Sequence, residues 1–266
     1  MKNILIATDF SSNAQHACKI GVEIAHKMNA KIHLLHVFAL PIVNPELPEF
    51  YDFKGYYDIK FSLLEKAIHR LPIGDLEFKI HCEAGISFPD QAMEICEKEN
   101  IDLFVIGHTG SSALEELFIG SNTTQILLNK KIPILSIPLS FQWKEKMKLA
   151  FAYDNKPLNN AKSIQSLRTF ASKYSDKIFA FHVANYNNSE EVYTHLKQFI
   201  PFNEFELTTQ VDENVNDGIL EYVSNQSMDI LCIIPRKHSF IDRLFHVSYT
   251  KEFSRYSAIP ILTLPE

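Results

Sequence analysis

Short apolar stretches alternate along this chain with stretches in which apolar residues follow the 3.6-residue period of a helix. The short stretches are rich in Ile, Val, Leu and Phe, which is typical of strands buried on both faces of a sheet. They predict ten strands: Ile4–Thr8, Lys31–Val37, Glu77–Cys82, Leu103–Gly107, Ile134–Ile137, Leu149–Tyr153, Ile178–Val183, Phe205–Val211, Ile230–Ile234 and Ile261–Leu264.

The stretches between these strands predict helices that pack on the sheet. In the first of them, small and apolar residues fall on one helical face, at Ala14, Ala17, Cys18, Gly21, Ile24 and Ala25. A later helix is expected to begin at Ser87 or Asp90. Strands joined by helices favour a parallel, doubly wound sheet, because parallel neighbours need long right-handed crossovers. Ligands bind such sheets at the carboxyl ends of the strands, where the strand order reverses.

The chain contains an internal duplication. The 37 residues from Asp102 align without a gap with the 37 residues from Asp229, at an offset of 127, and 12 positions are identical. The identical positions include the block Ile-Pro-Ile-Leu at 132–135 and at 259–262. Identity at this level over an ungapped stretch indicates two copies of one structural unit.

The starts of the two copies also match. Each begins with a predicted strand that is followed directly by an aspartate, Asp9 or Asp154, and a histidine recurs in the second strand of each copy, at His36 and His182. A residue that both copies keep favours a structural role. We therefore predict two domains, residues 1–140 and residues 146–266.

Composition and charge narrow the class of protein. The chain has 266 residues and 46% hydrophobic residues, which suits two buried cores. The net charge of −6, without a block of like charges, provides no basic face for nucleic acid. No apolar run reaches 18 residues, so no membrane span is expected, and the first apolar run is broken at Asp9, so no signal peptide is expected.

Four cysteines are present without C-x-x-C spacing. They are expected to be buried thiols in a reducing cytosol, which predicts a cytoplasmic protein without a disulfide framework. One other segment, residues 38–58, interrupts the alternation and is rich in proline and aromatic residues. Either it is a long loop packed on its own aromatic side chains, or it covers a nucleotide or binds a partner.

A glycine pattern follows the fourth predicted strand. Gly107 and Gly110 are separated by two residues, and nine residues then lead to Gly120 and Ser121 at the expected start of a helix. Glycines permit positive φ angles and close approach to the backbone, whose bare N–H groups bind phosphate. The first turn of a helix also favours anions. His108, within the pattern, is expected to be a loop residue without a catalytic role.

This G-x2-G-x9-G-S spacing resembles the ATP-binding signature of the universal stress protein family, and the duplicated layout extends the resemblance to the whole chain. The family implies two tandem flavodoxin-like or Rossmann-like α/β domains, each with a five-stranded parallel sheet flanked by helices and related by pseudo-twofold symmetry. It also implies pairing of domains through their last strands. Carried over by position, it implies nucleotide contacts at Thr8, Asp9, Val37, Ile106, Gly107, Gly110, Gly120, Ser121, Asn122 and Thr123.

Each of these positions also has a structural interpretation. Asp9 can cap the helix that begins near Ser11, Gly107 can simply end a strand, and Ser121 can be an N-cap. The second copy loses every glycine of the signature, because Ile234, Lys237 and Val247 replace them. Their side chains would obstruct a phosphate, so nucleotide is expected in the first domain only.

The expected function is therefore that of an ATP-binding module that regulates a stress response, with Mg²⁺ accompanying the ATP. The alternatives are a scaffold that binds a protein partner without nucleotide, and a slow ATPase. The sequence contains no G-x-x-x-x-G-K-[ST], H-E-x-x-H or G-x-S-x-G motif, so no catalytic residue is assigned and no more than weak ATP hydrolysis is expected. The chain is expected to form an internal pseudo-dimer, with a homodimer of such chains as an alternative.

Overall fold

The computed structural model describes residues 1–40, 52–108, 121–154, 156, 161–185, 196, 204–236 and 259–266. These residues form two compact units, Met1–Gly107 and His108–Glu266, and each is described by itself. The division into domains 1–140 and 146–266 stays a prediction. Among the helices of the described ranges, none is both long enough and apolar enough to cross a membrane.

The first unit is a parallel sheet with helices between its strands. In chain order its elements are β1 Asn3–Ala7, α1 Ser12–Met28, β2 Lys31–Phe38, α2 Phe53–His69, β3 Phe78–Ala84, α3 Phe88–Lys98 and β4 Leu103–His108. The strands lie in the order β3-β2-β1-β4, and each pair is parallel. The prediction of a parallel, doubly wound sheet is therefore confirmed.

The second unit holds the remaining strands. Its elements are α4 Ser121–Leu127, β5 Ile134–Pro138, β6 Leu149–Ala152, α5 Lys162–Tyr174, β7 Ile178–Ala184, β8 Phe205–Val211, α6 Val215–Asn225, β9 Ile230–Ile233 and β10 Ile261–Thr263. The strand order is β5-β10-β9-β6-β7-β8, with five strands of the second copy parallel to one another. All ten predicted strands are confirmed, with ends that agree to within two residues.

Local sequence signals account for the helix starts. Ser11 caps α1 by accepting a hydrogen bond from the Ala14 backbone N–H, and Ser87 caps α3 in the same way through the Asp90 N–H. Ser87 is therefore the N-cap of the two residues considered. The apolar face predicted for α1 is confirmed, because all six of its residues are buried. The four cysteines are free and buried, as predicted.

The prediction of a loop over residues 38–58 is wrong at both ends. β2 continues to Phe38, and α2 already begins at Phe53. Asp52 explains this start, since its carboxylate accepts a hydrogen bond from the Gly55 N–H at 2.8 Å and so satisfies an otherwise unpaired donor of the first turn. Residues 41–51 of this segment lie outside the described residues.

The last strands of the two copies pair with each other. β5 and β10 are antiparallel, with Leu135 opposite Leu262, and neither leucine is exposed. Equivalent strands that pair in antiparallel fashion are related by a local twofold axis. The predicted contact of Ile134–Ile137 with Ile261–Leu264 is confirmed, and it covers two strand edges that would otherwise expose unpaired backbone groups.

A histidine closes the first strand pair in both copies. The Thr8 N–H donates to the Leu35 carbonyl at 2.9 Å, and His36 Nδ1 then donates to the Thr8 carbonyl at 2.8 Å. In the second copy His182 Nδ1 donates to the Tyr153 carbonyl at 2.8 Å. Because a carbonyl can only accept, each ring carries its proton on Nδ1. The structural role predicted for the two histidines is confirmed.

Truncating the β5–β10 contact should destabilise the protein strongly. Leu262→Ala removes fully buried methyl groups and leaves a cavity, so we expect a loss of about 2–5 kcal/mol in the free energy of unfolding, measured by urea denaturation. Val211→Ala is the control, because Val211 is half exposed on the edge strand β8 and should cost less than about 1 kcal/mol. Equal losses in the two variants would contradict the importance of this pairing.

The buried His36 should make folding sensitive to acid. Burial lowers the pKa of His36 in the folded chain. Between about pH 7.5 and pH 5.5, His36 therefore becomes protonated in the unfolded chain while it stays largely neutral in the folded chain. Its stability contribution is therefore complete at pH 7.5 and declines as the pH falls. His36→Asn keeps a donor for Thr8 but cannot titrate. The unfolding free energy of wild type should fall by up to about 1 kcal/mol more than that of the variant. Identical losses in urea denaturations at the two pH values would refute this.

Candidate functional site

The strand order of the first unit creates a crevice beside β1. The chain passes from β1 outward to β2 and β3, and then returns to β4 on the other side of β1. The order therefore reverses between β1 and β4, where parallel sheets bind ligands at their carboxyl ends. Asp9 lies two residues beyond the end of β1, and Gly107 is the second-last residue of β4.

The turn after β1 is fixed by its own hydrogen bonds. Thr8 Oγ1 accepts from the Phe10 N–H at 3.1 Å, and Asp9 Oδ1 accepts from the Ser11 N–H at 2.9 Å. Phe10 adopts a left-handed conformation with φ 68°, which is uncommon for an aromatic residue. The conformational energy that this costs is offset by the hydrogen bonds of the turn. Asp9 is therefore not the N-cap of α1. Its carboxylate is exposed at the crevice and held by the turn.

Val37 directs backbone groups toward the same side, and they have no backbone partner in the described ranges of the chain. Residues 31 and 35 of β2 direct their backbone groups toward β1, as the bonds Lys31 N–H to Lys2 and Thr8 N–H to Leu35 show. In a strand, every second residue faces the same neighbour, so Val37 also faces β1. The register of β1 ends at Ala7 opposite Leu35. The N–H and C=O of Val37 therefore lie beyond the paired part of β1.

The histidine contact explains why the ladder stops there. A continued parallel ladder would carry a bond from the Val37 N–H to the Thr8 carbonyl. That carbonyl instead accepts from His36 Nδ1. The His36 ring packs between Phe10 and Phe38, at ring-centroid distances of 4.5 and 6.1 Å, which holds it against the end of β1. A single side chain thus occupies the acceptor that would otherwise bind the Val37 N–H.

Gly107 is required by helix packing. A Cβ at Gly107 would lie 2.8 Å from the carbonyl oxygen of Asn13 and 2.9 Å from its carbonyl carbon, both in the backbone of α1. Gly107 does not have a positive φ angle, so the expectation that conformational freedom requires a glycine here is wrong. The glycine lets the first turn of α1 approach the end of β4, where the helix N-terminus faces the crevice.

Ile106 and His108 flank this glycine with buried side chains. Ile106 is 6% exposed and His108 is not exposed at all. Only the backbone of Ile106 can therefore contact a ligand. The prediction that His108 is a loop residue is wrong, because it is the last residue of β4. Burial of this ring explains why it offers no accessible base.

α4, the helix predicted to follow the glycine pattern, spans Ser121–Leu127 in the described part of the chain. Within the second unit, Asn122 is exposed and Thr123 is buried on the face of α4 that packs against β5. Gly110 and Gly120 lie outside the described residues, and the side chain of Ser121 is likewise not described. The structure therefore describes this helix from Ser121 onward and gives no geometry for the glycine loop.

Asn13 was not singled out from the sequence. It is 7% exposed in the first turn of α1, and its Oδ1 atom has no hydrogen-bond partner among the described residues. A buried acceptor without a donor is costly unless a ligand or water supplies one. The signal in the sequence was a polar residue beside Ala14, on the face that otherwise carries small and apolar side chains.

The second copy fills its equivalent crevice with its own side chains. Arg236 follows β9, is 6% exposed, and donates to Asp154 Oδ1 at 2.7 Å, while its Nε lies 3.4 Å from Glu266 Oε1. Asp154 is the counterpart of Asp9, and the Tyr153 ring stands where the first copy has Thr8. The guanidinium that could attract an anion is therefore already engaged by two carboxylates.

Of the residues that replace the signature glycines, the structure describes Ile234. It is 8% exposed at the end of β9, with its side chain buried. Lys237 and Val247 lie outside the described residues. The ends of β6 and β9 thus carry Tyr153, Ile234 and the pair Arg236–Asp154, where the first copy carries Thr8 and Gly107.

Known proteins resemble both the sequence and the fold. The model of the universal stress protein family matches residues 1–138. The universal stress protein MJ0531 of Methanocaldococcus jannaschii is 29% identical over 144 residues, which cover 51% of this chain and 81% of that protein. The universal stress protein MJ0577 of the same organism is 26% identical over 157 residues, covering 51% and 94%.

Among solved structures, a universal stress protein from Archaeoglobus fulgidus has a TM-score of 0.71 at 14% identity, and the match covers 99% of this chain and 98% of that chain. At this identity the likeness concerns the fold alone, and it extends through both copies. The family model matches more than half of the sequence, which is enough to identify the family. The chain belongs to the universal stress protein family.

Proposed function

We propose that this protein binds ATP in its N-terminal domain and uses the bound nucleotide to regulate a stress response. The observation that carries the proposal is the end of the β1–β2 ladder, where the N–H and C=O of Val37 lie beside the crevice without a backbone partner among the described residues. The glycine signature and the family supply the class of ligand. The site residues inferred from the sequence remain part of this proposal.

Adenine suits the free backbone groups of Val37. Its Watson–Crick edge offers an amino donor next to a ring-nitrogen acceptor, which complements a C=O acceptor and an N–H donor that face the same side. Recognition through the backbone would select the base without depending on the Val37 side chain. Ile106, with its side chain buried, would likewise contribute only through its backbone.

Asp9 and Thr8 are proposed to hold the ribose. The turn fixes the Asp9 carboxylate through the Ser11 N–H, and a carboxylate at the end of a strand accepts hydrogen bonds from ribose hydroxyls. The unpaired Oδ1 of Asn13 is a further acceptor in the first turn of α1. These groups line one side of the crevice, so they suit a ligand rich in hydroxyl donors.

The phosphates are assigned to the glycine loop and the helix after it. Gly107 and Gly110 would begin that loop, and Gly120, Ser121, Asn122 and Thr123 would hold the phosphates through backbone N–H groups, with the Ser121 hydroxyl as a further donor. The Thr123 side chain is buried, so Thr123 would contribute through its backbone. Mg²⁺ would bind together with ATP through the phosphates. This part of the proposal rests on the signature in the sequence.

The second domain is proposed to be silent toward nucleotide and to act as the partner of the first. The Arg236–Asp154 pair and the Tyr153 ring occupy its strand ends. The β5–β10 pairing supplies within one chain a contact between equivalent strands. With the boundary near residues 140–146, the two copies would form an internal pseudo-dimer.

A second candidate function is a scaffold for a protein partner. It is favoured by apolar side chains that α2 exposes to solvent, Phe53, Tyr57, Ile59 and Leu63, which are 39–61% exposed. Exposed apolar groups that recur along one helix are typical of interaction surfaces. This function would be preferred if the chain bound no nucleotide.

The stoichiometry of ATP should be one per chain. We would purify the full chain, release any bound nucleotide by denaturation, and titrate ATP with Mg²⁺ calorimetrically. Gly110→Val should abolish binding, because its side chain would obstruct the phosphates, while circular dichroism stays unchanged. Two ATP per chain would mean that the second domain also binds, and none would favour the scaffold. Chromatography of the titrated sample for ADP would detect hydrolysis.

Substitutions at Val37 test the backbone contact directly. Val37→Pro removes the N–H and should weaken ATP binding by at least about tenfold, whereas Val37→Ala keeps both backbone groups and should change affinity less than about threefold. Val183→Pro makes the equivalent change at the end of β7 and controls for general destabilisation, because the second domain is expected not to bind. Equal effects of the alanine and proline variants at Val37 would contradict recognition through the backbone.

A further inference from the structure

Three potential metal ligands converge in the first unit, away from the crevice. His33 lies in the first half of β2, His81 lies in β3, and Glu99 follows α3. Their ligand atoms all lie within 4.8 Å of one another. We name this group the His-His-Glu cluster.

The distances in the cluster suit a tetrahedral ion. His33 Nδ1 lies 3.0 Å from His81 Nε2 and 3.9 Å from Glu99 Oε2. Zinc binds imidazole nitrogen and carboxylate oxygen at about 2.0–2.2 Å, so neighbouring ligands of a tetrahedral site lie roughly 3.3 Å apart. These two separations fall on either side of this value, and the third, between His81 and Glu99, is at most 4.8 Å. Rotation of the flexible Glu99 side chain toward the two rings would bring all three donors into range.

The two imidazoles of the cluster are buried and contact each other. His33 and His81 are 1% and 6% exposed. His33 Nδ1 and His81 Nε2 form a hydrogen bond at 3.0 Å, in which one nitrogen donates and the other accepts, so an ion bound by both would displace the proton that they share. His33 Nε2 has no hydrogen-bond partner among the described residues. A contact with a purely structural role would therefore leave His33 Nε2 buried without a hydrogen bond, which costs folding free energy.

Glu99 is already oriented for such a role. Its Oε1 accepts from Lys79 Nζ at 2.7 Å, which leaves Oε2 directed toward His33. A carboxylate that ligates a metal is commonly fixed by a hydrogen bond of this kind. The positive charges of Lys31, Lys79 and Lys98 lie near the two imidazoles and would repel a bound cation. Water weakens this repulsion for Lys79, whose side chain is 47% exposed.

The duplicated fold does not require the cluster. By strand register and by the offset of 127, the second copy has Phe179, Thr208 and Gln226 at the positions of His33, His81 and Glu99. None of these three side chains is a usual zinc ligand. The same strands and the same helix thus form without the cluster, so the three ligand types are a feature of the first copy alone.

We propose that His33, His81 and Glu99 form a binding site for a divalent transition-metal ion of the zinc type, with water as the fourth ligand. Two nitrogens and one oxygen suit zinc or cobalt better than magnesium or calcium, which prefer oxygen ligands. The ion would link β2, β3 and the end of α3. The site is separate from the proposed nucleotide site and does not depend on it.

Cobalt provides a probe with a direct signature. We would strip the untagged full chain with a chelator, titrate Co²⁺ without nucleotide, and record visible absorption, because tetrahedral cobalt absorbs far more strongly than octahedral cobalt. We expect one ion per chain with tetrahedral absorption, and displacement by one equivalent of Zn²⁺. Absence of stoichiometric uptake by the wild-type chain would overturn the proposal.

Matched variants assign the ion to the cluster. Loss of a residue that only hydrogen-bonds to a metal ligand typically lowers metal affinity by about 10–100-fold. Loss of a ligand itself should cost at least as much, so His81→Gln and Glu99→Gln should each weaken binding by more than about tenfold. His69→Gln should bind like wild type, because His69 is exposed on α2 and outside the cluster. Glu99→Gln preserves size, so it remains informative if circular dichroism shows that His81→Gln is unfolded. Affinities equal to wild type in a folded cluster variant would refute the assignment.

Discussion

The hydrogen bond from His36 to the Thr8 carbonyl determines where β1 ends as a partner of β2. It uses the acceptor that would have continued the ladder, and the register therefore stops before Val37, whose backbone groups have no backbone partner in the part of the chain that the structure describes. The strained turn at Phe10 then leads the chain away from the sheet into α1. The crevice, the exposed Asp9 carboxylate and the entry angle of the first helix all depend on this arrangement.

The second copy shows that this hydrogen bond has a structural role that does not depend on a bound ligand. His182 makes the same contact with Tyr153, yet that strand end is filled by the tyrosine and by the Arg236–Asp154 pair. Duplication thus preserved the backbone of the binding edge and changed the side chains that cover it.

The sequence predicted the strands well, because buried parallel strands need continuous apolar runs that few other structures share. The β5–β10 pairing was expected from the resemblance to the universal stress protein family, which implies pairing of domains through their last strands. The sequence could not give the reason for Gly107, because the approach of Asn13 to within 2.8 Å of a Cβ there depends on helix packing. The start of α2 at Phe53 and the meeting of His33 with His81 likewise depend on a local cap and on strand register.

β2 carries both proposed sites, with His33 and Val37 four residues apart and therefore roughly 13 Å apart along the strand. Coupling between two ligands requires an element with two arrangements that each ligand stabilises differently. Between these positions β2 is paired with β1 on one side and β3 on the other, and Leu34 and Leu35 are not exposed. A strand held in this way has one arrangement. Metal bound at the His-His-Glu cluster would therefore stabilise the folded first unit by mass action without altering the affinity of Val37 for a nucleotide.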